Sequence, residues 1–280
     1  MSKLFSVRFD VDTHRCVREG MPALSALGRR LGVPFTFFVN MGRAVSRIGA
    51  LGRRGNGSTA AKLSARRKLG WREYLVAAAL NPRVGAASGE VIVAARADGH
   101  EIGLHGGRNH AVWQREARRW SKERLEAEID SVLPGLRALL GGRVPAGFAS
   151  PGWTTHPLLP ALLAERGFTY LADLHGHGQD SGIRPCASEA TLPNVRTRLT
   201  GEPGGVAYLE HLRAIGLVDA ALERRFEVDL EAAGPLAVVY DHPYFAGIQD
   251  LHGVRRMVEI ALAHGYEVVP VQAVAEALRS

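Results

Sequence analysis

Apolar and polar positions alternate from Leu4 to Phe9, the period of a strand. Between Pro22 and Leu31 the period changes: Leu24, Leu27 and Leu31 recur at helical spacing, and Val33–Val39 then reads as a second strand, β-branched and aromatic. Val91–Ala97 reads as a helix ending at Asp98-Gly99, with a third strand over Glu101–Leu104. Ser121 to Leu140 reads as one long amphipathic helix with Ser121 as N-cap and Leu125, Ile129 and Val132 as its buried stripe. Further strands fall at Ala146–Ala149, Thr169–Ala172, Leu236–Tyr240 and Tyr266–Val269, and further helices at His156–Arg166, Leu251–His264 and Val271–Leu278. Strands alternating with helices at this spacing predict an α/β fold of parallel βαβ units. Seven or eight such strands favour a closed or nearly closed barrel. The expected organisation is one domain over residues 1–280, with residues 41–85 inserted after the second strand.

Composition leaves this picture unchanged. The chain has 280 residues, 46% hydrophobic and 22% charged, which suits a globular protein with a sizeable core. Its two cysteines, Cys16 and Cys186, form no disulfide framework. No signal peptide precedes the first strand, and no apolar run approaches the ~20 residues of a membrane span. A cytoplasmic protein is expected.

Charge adds a feature. Of the net +7, residues 41–83 carry ten bases against one acid, while the remainder is slightly acidic. An anionic partner is therefore expected at one local patch.

The candidate chemistry lies at strand ends. Asp10 and Asp12 share a face of strand one, because side chains two apart in a strand point the same way. In a barrel of this kind, active sites lie at the C-terminal edge of the strands. His105 ends the third strand at that edge, in "GHEIGLHGGRNHAVW", and His110 follows. Two histidines and an aspartate are a ligand set for a divalent cation with an open position for water. Asp12 would then be a ligand, while Asp10 stays off the metal and takes a proton from the attacking water. His242, just past the strand Leu236–Tyr240, could act as a general acid.

These residues resemble the polysaccharide deacetylase (NodB-homology) family, and within it the deformylases acting on undecaprenyl-phosphate-linked formamido-arabinose. The resemblance covers almost the whole chain. It rests on "RFDVDT" with "REGMPAL", "GHEIGLH" followed by "HAVWQ", "SPGW", "YLAD" and the late His242. It implies a distorted (β/α) barrel of the NodB-homology type and metal-dependent hydrolysis of an N-acyl group on a sugar. By the same resemblance Asp10 is the base, His242 the acid, and Asp12, His105 and His110 hold the metal. Zinc, cobalt, manganese and nickel would all suit. Backbone amides near Gly152 and Trp153 would hold the oxyanion, with Asp173 beside the substrate.

The chain departs from the family in two places. The family spaces its ligand histidines four apart, whereas His105 and His110 are five apart, with Asn109 at the fourth position. A one-residue insertion in "GGRN", absorbed at Gly106-Gly107, favours His110 over Asn109; His175 and His177 are further stand-ins. Many relatives also carry an arginine just before the "P-G" stretch to steer the base. Here that stretch reads "GFASPG", leaving Asp173 or Asp241 to orient a partner.

The basic insertion is amphipathic, with Trp71 and Tyr74 among Arg66, Arg67, Lys68 and Arg72. Such a surface suits a bilayer headgroup region or a lipid phosphate, and it resembles an insertion of the lipid-linked deformylases. No nucleic-acid-binding signature is present. The expected activity is hydrolysis of the N-acyl group, N-formyl above all, of a prenyl-phosphate-linked aminosugar at the inner face of the cytoplasmic membrane, as in lipid A modification with aminoarabinose. The alternatives are deacetylation of a lipid-linked N-acetylhexosamine or a soluble glycan, and a non-catalytic lipid- or glycan-binding module.

Overall fold

A computed structural model of the chain describes residues 2–44, 81–176, 192–202 and 205–279. Within them, parallel strands pair in the order β6-β5-β4-β3-β2-β1-β7, with β8 on β1. The strands are β1 (Lys3–Val11), β2 (Thr36–Val39), β3 (Glu101–His105), β4 (Gly147–Ala149), β5 (Tyr170–His175), β6 (Asn194–Thr197), β7 (Leu236–Asp241) and β8 (Tyr266–Val268).

β1 organises the sheet. Its upper half pairs Arg8–Val11 with Thr36–Val39 of β2, and its other edge pairs Leu4–Phe9 with Leu236–Asp241 of β7. β8 fills the lower part of the β2 edge, against Lys3–Phe5. The two ends of the sheet meet just past β6. There the Leu199 amide donates to the Val238 carbonyl at 3.0 Å, and the Tyr240 amide donates to the Leu199 carbonyl at 3.2 Å. This bridge makes a nearly closed barrel.

A barrel strand is buried on both faces, and alternation divides its side chains between two cores. Phe5, Val7, Phe9 and Val11 of β1 face outward, into a cluster shared with Met21, Leu24, Val254 and Met257 of the surrounding helices. Inside the barrel a second cluster joins Phe38, Ala149, Tyr170, Ala172, Val195 and Val238. The C-terminal helix Val271–Ala277 closes the bottom by adding Val271, Val274 and Ala275 to that inner cluster. Glu101 seals the joint: it accepts from Thr36 Oγ1 at 2.7 Å, the Tyr170 hydroxyl at 2.6 Å and the Gln272 amide at 3.1 Å.

The helix Met21–Leu31 follows a π-helical turn, Cys16–Gly20, and ends at Gly32 in the left-handed conformation. That turn packs on the start of the helix Pro243–Ala246, where a side chain at Gly20 would collide with the Pro243 carbonyl.

Several expected elements are corrected. The long helix over 121–140 is two helices, Lys122–Asp130 and Leu133–Leu139. Pro134 explains the break, since it lacks an amide proton and its ring crowds the carbonyl four residues earlier. β2 starts at Thr36, not Val33, and the helix expected at His156 starts at Leu159. Strand β6 and the helices Tyr208–Ala214 and Asp219–Ala233 were not expected. The last had a readable signal, because its buried Leu222, Phe226, Leu230 and Ala233 keep helical spacing.

Candidate metal centre and active site

The inner face of β1 carries Ser6, Arg8 and Asp10 in succession, and Asp12 follows just past the strand's end, at the C-terminal mouth of the barrel. β1 pairs through β2 with β3, whose last residue is His105. Gly106 turns the chain with φ 72°, and Asn109 caps the next helix by accepting from the Val112 amide at 3.1 Å. His110 is therefore the first residue of the helix His110–Glu116.

These placements bring three ligand atoms together. His105 Nε2 and His110 Nε2 each lie 3.2 Å from Asp12 Oδ1. One donor atom from each of the three residues falls within 4.8 Å of the others. Asp12 Oδ1 is buried and has no well-directed hydrogen bond among the described residues. His105 Nδ1 lies 2.9 Å from the Ala149 carbonyl oxygen, which makes it the protonated nitrogen and turns the Nε2 lone pair toward Asp12. Two imidazole lone pairs and a carboxylate converging in this way fit a divalent cation. Asn109 is spent as a helix cap, and the described parts of "DLHGHG" place His175 against Trp153, at 4.9 Å between ring centroids.

The charges agree with this arrangement. Burial pushes the Asp12 carboxyl up, but His110, His105 and His242 outweigh it and hold the group well below its ordinary value. Burial works against a charged His105, yet Asp10 and Asp12 raise its pKa on balance.

Asp10 stands farther back, with Oδ2 3.9 Å from His105 Nε2. Its carboxylate is gripped by Arg8. Arg8 Nη2 donates to Oδ1 at 2.7 Å and to Oδ2 at 2.9 Å. Arg8 Nη1 donates to the Ala172 carbonyl at 2.5 Å. The guanidinium is fully buried and lies 4.6 Å from the Trp153 ring centroid and 4.8 Å from that of Phe38. The arginine absent from "GFASPG" is thus matched by one on β1 itself, two residues before the aspartate it grips. Its sequence signal was its place on the inward face of β1.

His242 approaches from the end of β7, the neighbour of β1 on the side away from β3. Its Nε2 lies 3.3 Å from Asp12 Oδ2 and 2.9 Å from the Tyr240 hydroxyl, and its Nδ1 lies 3.5 Å from Glu210 Oε2. Neither Tyr240 nor Glu210 was singled out from the sequence. Tyr240 could have been, since it shares the inward face of β7 with Val238 and the position of His242.

The "SPGW" loop uses some of its groups within itself. The Trp153 amide donates to the Ser150 carbonyl at 3.1 Å, so it is engaged within the turn. Asp173 accepts from the Ser150 amide at 2.6 Å and from Ser150 Oγ at 2.7 Å, and so holds this loop. Asp241 is likewise engaged, accepting from the Leu209 amide at 2.6 Å. Trp153 sits at φ 57°, rare for a bulky residue, and its indole N–H donates to the Gly205 carbonyl at 2.7 Å. Arg66, Arg67, Lys68, Trp71 and Arg72, and His177 with them, lie outside the described residues.

A protein of Mycobacterium smegmatis, named as a polysaccharide deacetylase, has the same architecture. The match covers 100% of this chain and 91% of that one, with a TM-score of 0.63 at 17% identity. The fold is that of the polysaccharide deacetylases. A CE4-family pseudoenzyme of Bacillus anthracis shares it, over 98% of this chain and 66% of that one, with a TM-score of 0.56 and 12% identity. In sequence, the chain is 32% identical over 179 residues to a Shewanella sediminis protein named as a 4-deoxy-4-formamido-L-arabinose-phosphoundecaprenol deformylase. That match takes in 61% of this chain and 56% of the relative, so the chain spans about half the length of the curated protein it matches. No protein-family model matches the chain. The distorted, nearly closed barrel expected from the resemblance is thus the fold observed.

Proposed function

We propose that this protein is a metal-dependent amidohydrolase that removes the N-formyl group from a prenyl-phosphate-linked aminosugar. The observation that carries the reading is the convergence of Asp12, His105 and His110 on one point, with Asp10 on one side and His242 on the other. The relative named as a deformylase supports the substrate class.

Asp12, His105 and His110 would hold the cation, which when bound polarises the acyl carbonyl and acidifies water. Asp10, held by Arg8, accepts the proton of the attacking water. His242, between Glu210 and Asp12, donates a proton to the sugar nitrogen as the C–N bond breaks. The new C–O bond completes formate, and the amine leaves protonated. Among the described residues no helix is long and apolar enough to cross a membrane. The basic segment with Arg66, Arg67, Lys68, Trp71 and Arg72 would instead hold the protein at an anionic lipid surface. Failure to co-sediment with anionic vesicles at low salt would remove that part of the reading.

Because the same fold also carries a pseudoenzyme, turnover is the deciding measurement. Metal-loaded protein and an Asp10→Asn control are incubated with two detergent-solubilised prenyl-phosphate sugars, a formamido-pentose and an acetamido-hexose, and followed by mass spectrometry. Deformylation lost in the control supports the proposal. Deacetylation alone keeps the mechanism and changes the substrate. Neither reaction, with metal bound, rejects the assignment.

A further inference from the structure

The oxygen of an amide gains negative charge as water adds to the carbonyl. A hydrogen-bond donor already aimed at that oxygen lowers the barrier. Many of the donors near Asp12 are engaged elsewhere. The amides of Trp153, Thr154 and Thr155 all donate within their own turn. Arg8 spends Nε and Nη2 on Asp10, and Nη1 on Ala172 and Thr197. Ser150 Oγ donates to Asp173, Asn40 Nδ2 to the Asp12 carbonyl, and the Trp153 indole to Gly205. His105 Nδ1 is held by the Ala149 carbonyl.

Tyr240 differs from all of these. Its hydroxyl meets no carbonyl and no carboxylate in the hydrogen bond described for it; it meets His242 Nε2 at 2.9 Å. That nitrogen also faces Asp12 Oδ2, at 3.3 Å, so the hydroxyl lies at the edge of the ligand cluster. An acid that turns to a substrate nitrogen gives up its resting partner, and the hydroxyl is then released to rotate. The ring itself is fixed, 5.2 Å from Trp153, 5.2 Å from His242 and 5.4 Å from the Arg8 guanidinium.

We propose that Tyr240 is an oxyanion donor of this site: as His242 engages the amide nitrogen, the Tyr240 hydroxyl turns to the acyl oxygen and hydrogen-bonds it while charge develops there. The inference rests on the amidohydrolase reading above. The phenol keeps its proton throughout; only its hydrogen-bond partner changes. Burial, with Asp10 and Asp12 nearby, holds this phenol well above its ordinary value, so it stays a neutral donor.

The test compares metal-loaded wild type with Tyr240→Phe, which keeps the ring and removes the hydroxyl. On the formamido-sugar, kcat falls about 100-fold, as for loss of one oxyanion donor. KM stays within about twofold, because the lost contact exists only in the transition state. Bound metal per chain and Tm are unchanged. A second readout needs no turnover. A phosphonamidate of the same aminosugar, whose anionic tetrahedral oxygen takes the oxyanion's place, binds Tyr240→Phe more weakly by the factor lost in kcat/KM, while formate binds both proteins alike. Unchanged kcat, a loss confined to KM, or equal phosphonamidate affinity overturns the role of Tyr240. If the wild type hydrolyses neither the formamido- nor the acetamido-sugar, the amidohydrolase reading itself fails. An active wild type with an equally active Tyr240→Phe removes only this inference.

Discussion

Arg8 and Asp10 stand two residues apart on one strand and close a buried, two-pronged ion pair, with Nη2 2.7 Å and 2.9 Å from the two carboxylate oxygens. Strand geometry puts both on the inner face, and the long arginine stem lets the guanidinium come level with its neighbour. Arg8→Lys keeps the charge and loses the fork. The expected outcome is a stability loss of about 3 kcal/mol in urea melts, as when a buried pair is broken. A fall in kcat of about 100-fold accompanies it, because Asp10 is no longer held in line. Wild-type kcat in this variant would show that Asp10 does not depend on the fork.

Removal of metal separates His110 from Asn109. Dialysis against a chelator lowers Tm, and zinc, cobalt, manganese or nickel restores it, since a cation bound only by the folded state stabilises it. In His110→Ala, bound metal drops and the metal-dependent rise in Tm disappears. Asn109→Ala keeps the metal and loses about 1 kcal/mol, the ordinary cost of an N-cap. Elemental analysis beside thermal melts reads both effects.

Asp241 makes stability depend on pH. Burial pushes its carboxyl up to about 7, from 3.8 in the unfolded chain. Between those values the folded state holds a proton that the unfolded state has lost, so stability is full below pH ~4 and declines as pH rises toward 7. Burial also raises Glu101 and Asp173, which act in the same sense. Burial lowers His14, His100 and His175, which act in the opposite sense. The difference between Asp241→Asn and wild type isolates the one carboxyl. The variant is expected to lose less stability over this window in urea melts taken at intervals of pH. Parallel curves would mean that Asp241 is ionised throughout.

Glu101 tests the opposite end of the barrel. It begins β3 while His105 ends it, so the two lie roughly 13 Å apart along the strand. Tyr170→Phe takes one donor from the buried Glu101 carboxylate and is expected to cost about 1–3 kcal/mol. Turnover and metal content stay at wild-type levels. A large loss of activity in a folded variant would show that the bottom of the barrel is coupled to the site.

The sequence by itself determined what depends on near neighbours. Period-two alternation placed Asp10 and Asp12 on one side of the chain at the end of β1, and helical spacing identified Met21–Leu31 and Leu251–Ala263 to within a residue or so of their ends. The strand-helix rhythm gave a parallel barrel, and the rule that its sites lie at C-terminal strand ends brought Asp12, His105 and His242 to one mouth. Local pattern misled where a single residue overrode it, as Pro134 does in the expected long helix, and it missed β6 and the helices Tyr208–Ala214 and Asp219–Ala233.

Tertiary structure decided which of those residues meet. The five-residue step from His105 to His110 is wrong for one helical face, but the two do not share a helix. His105 ends a strand, His110 begins a helix, and Gly106 makes the turn that points both at Asp12. Arg8 could be seen beside Asp10, but its burial depends on Ala172 and Thr197, which lie more than 160 residues away and arrive only when β5 and β6 close against β7. Glu210 reaches His242 from a helix between β6 and β7, and Tyr240 meets the same ring by strand alternation. Periodicity specifies the face a side chain presents. Which partner fills the space opposite is set by barrel closure, a non-local event that no short window of sequence contains.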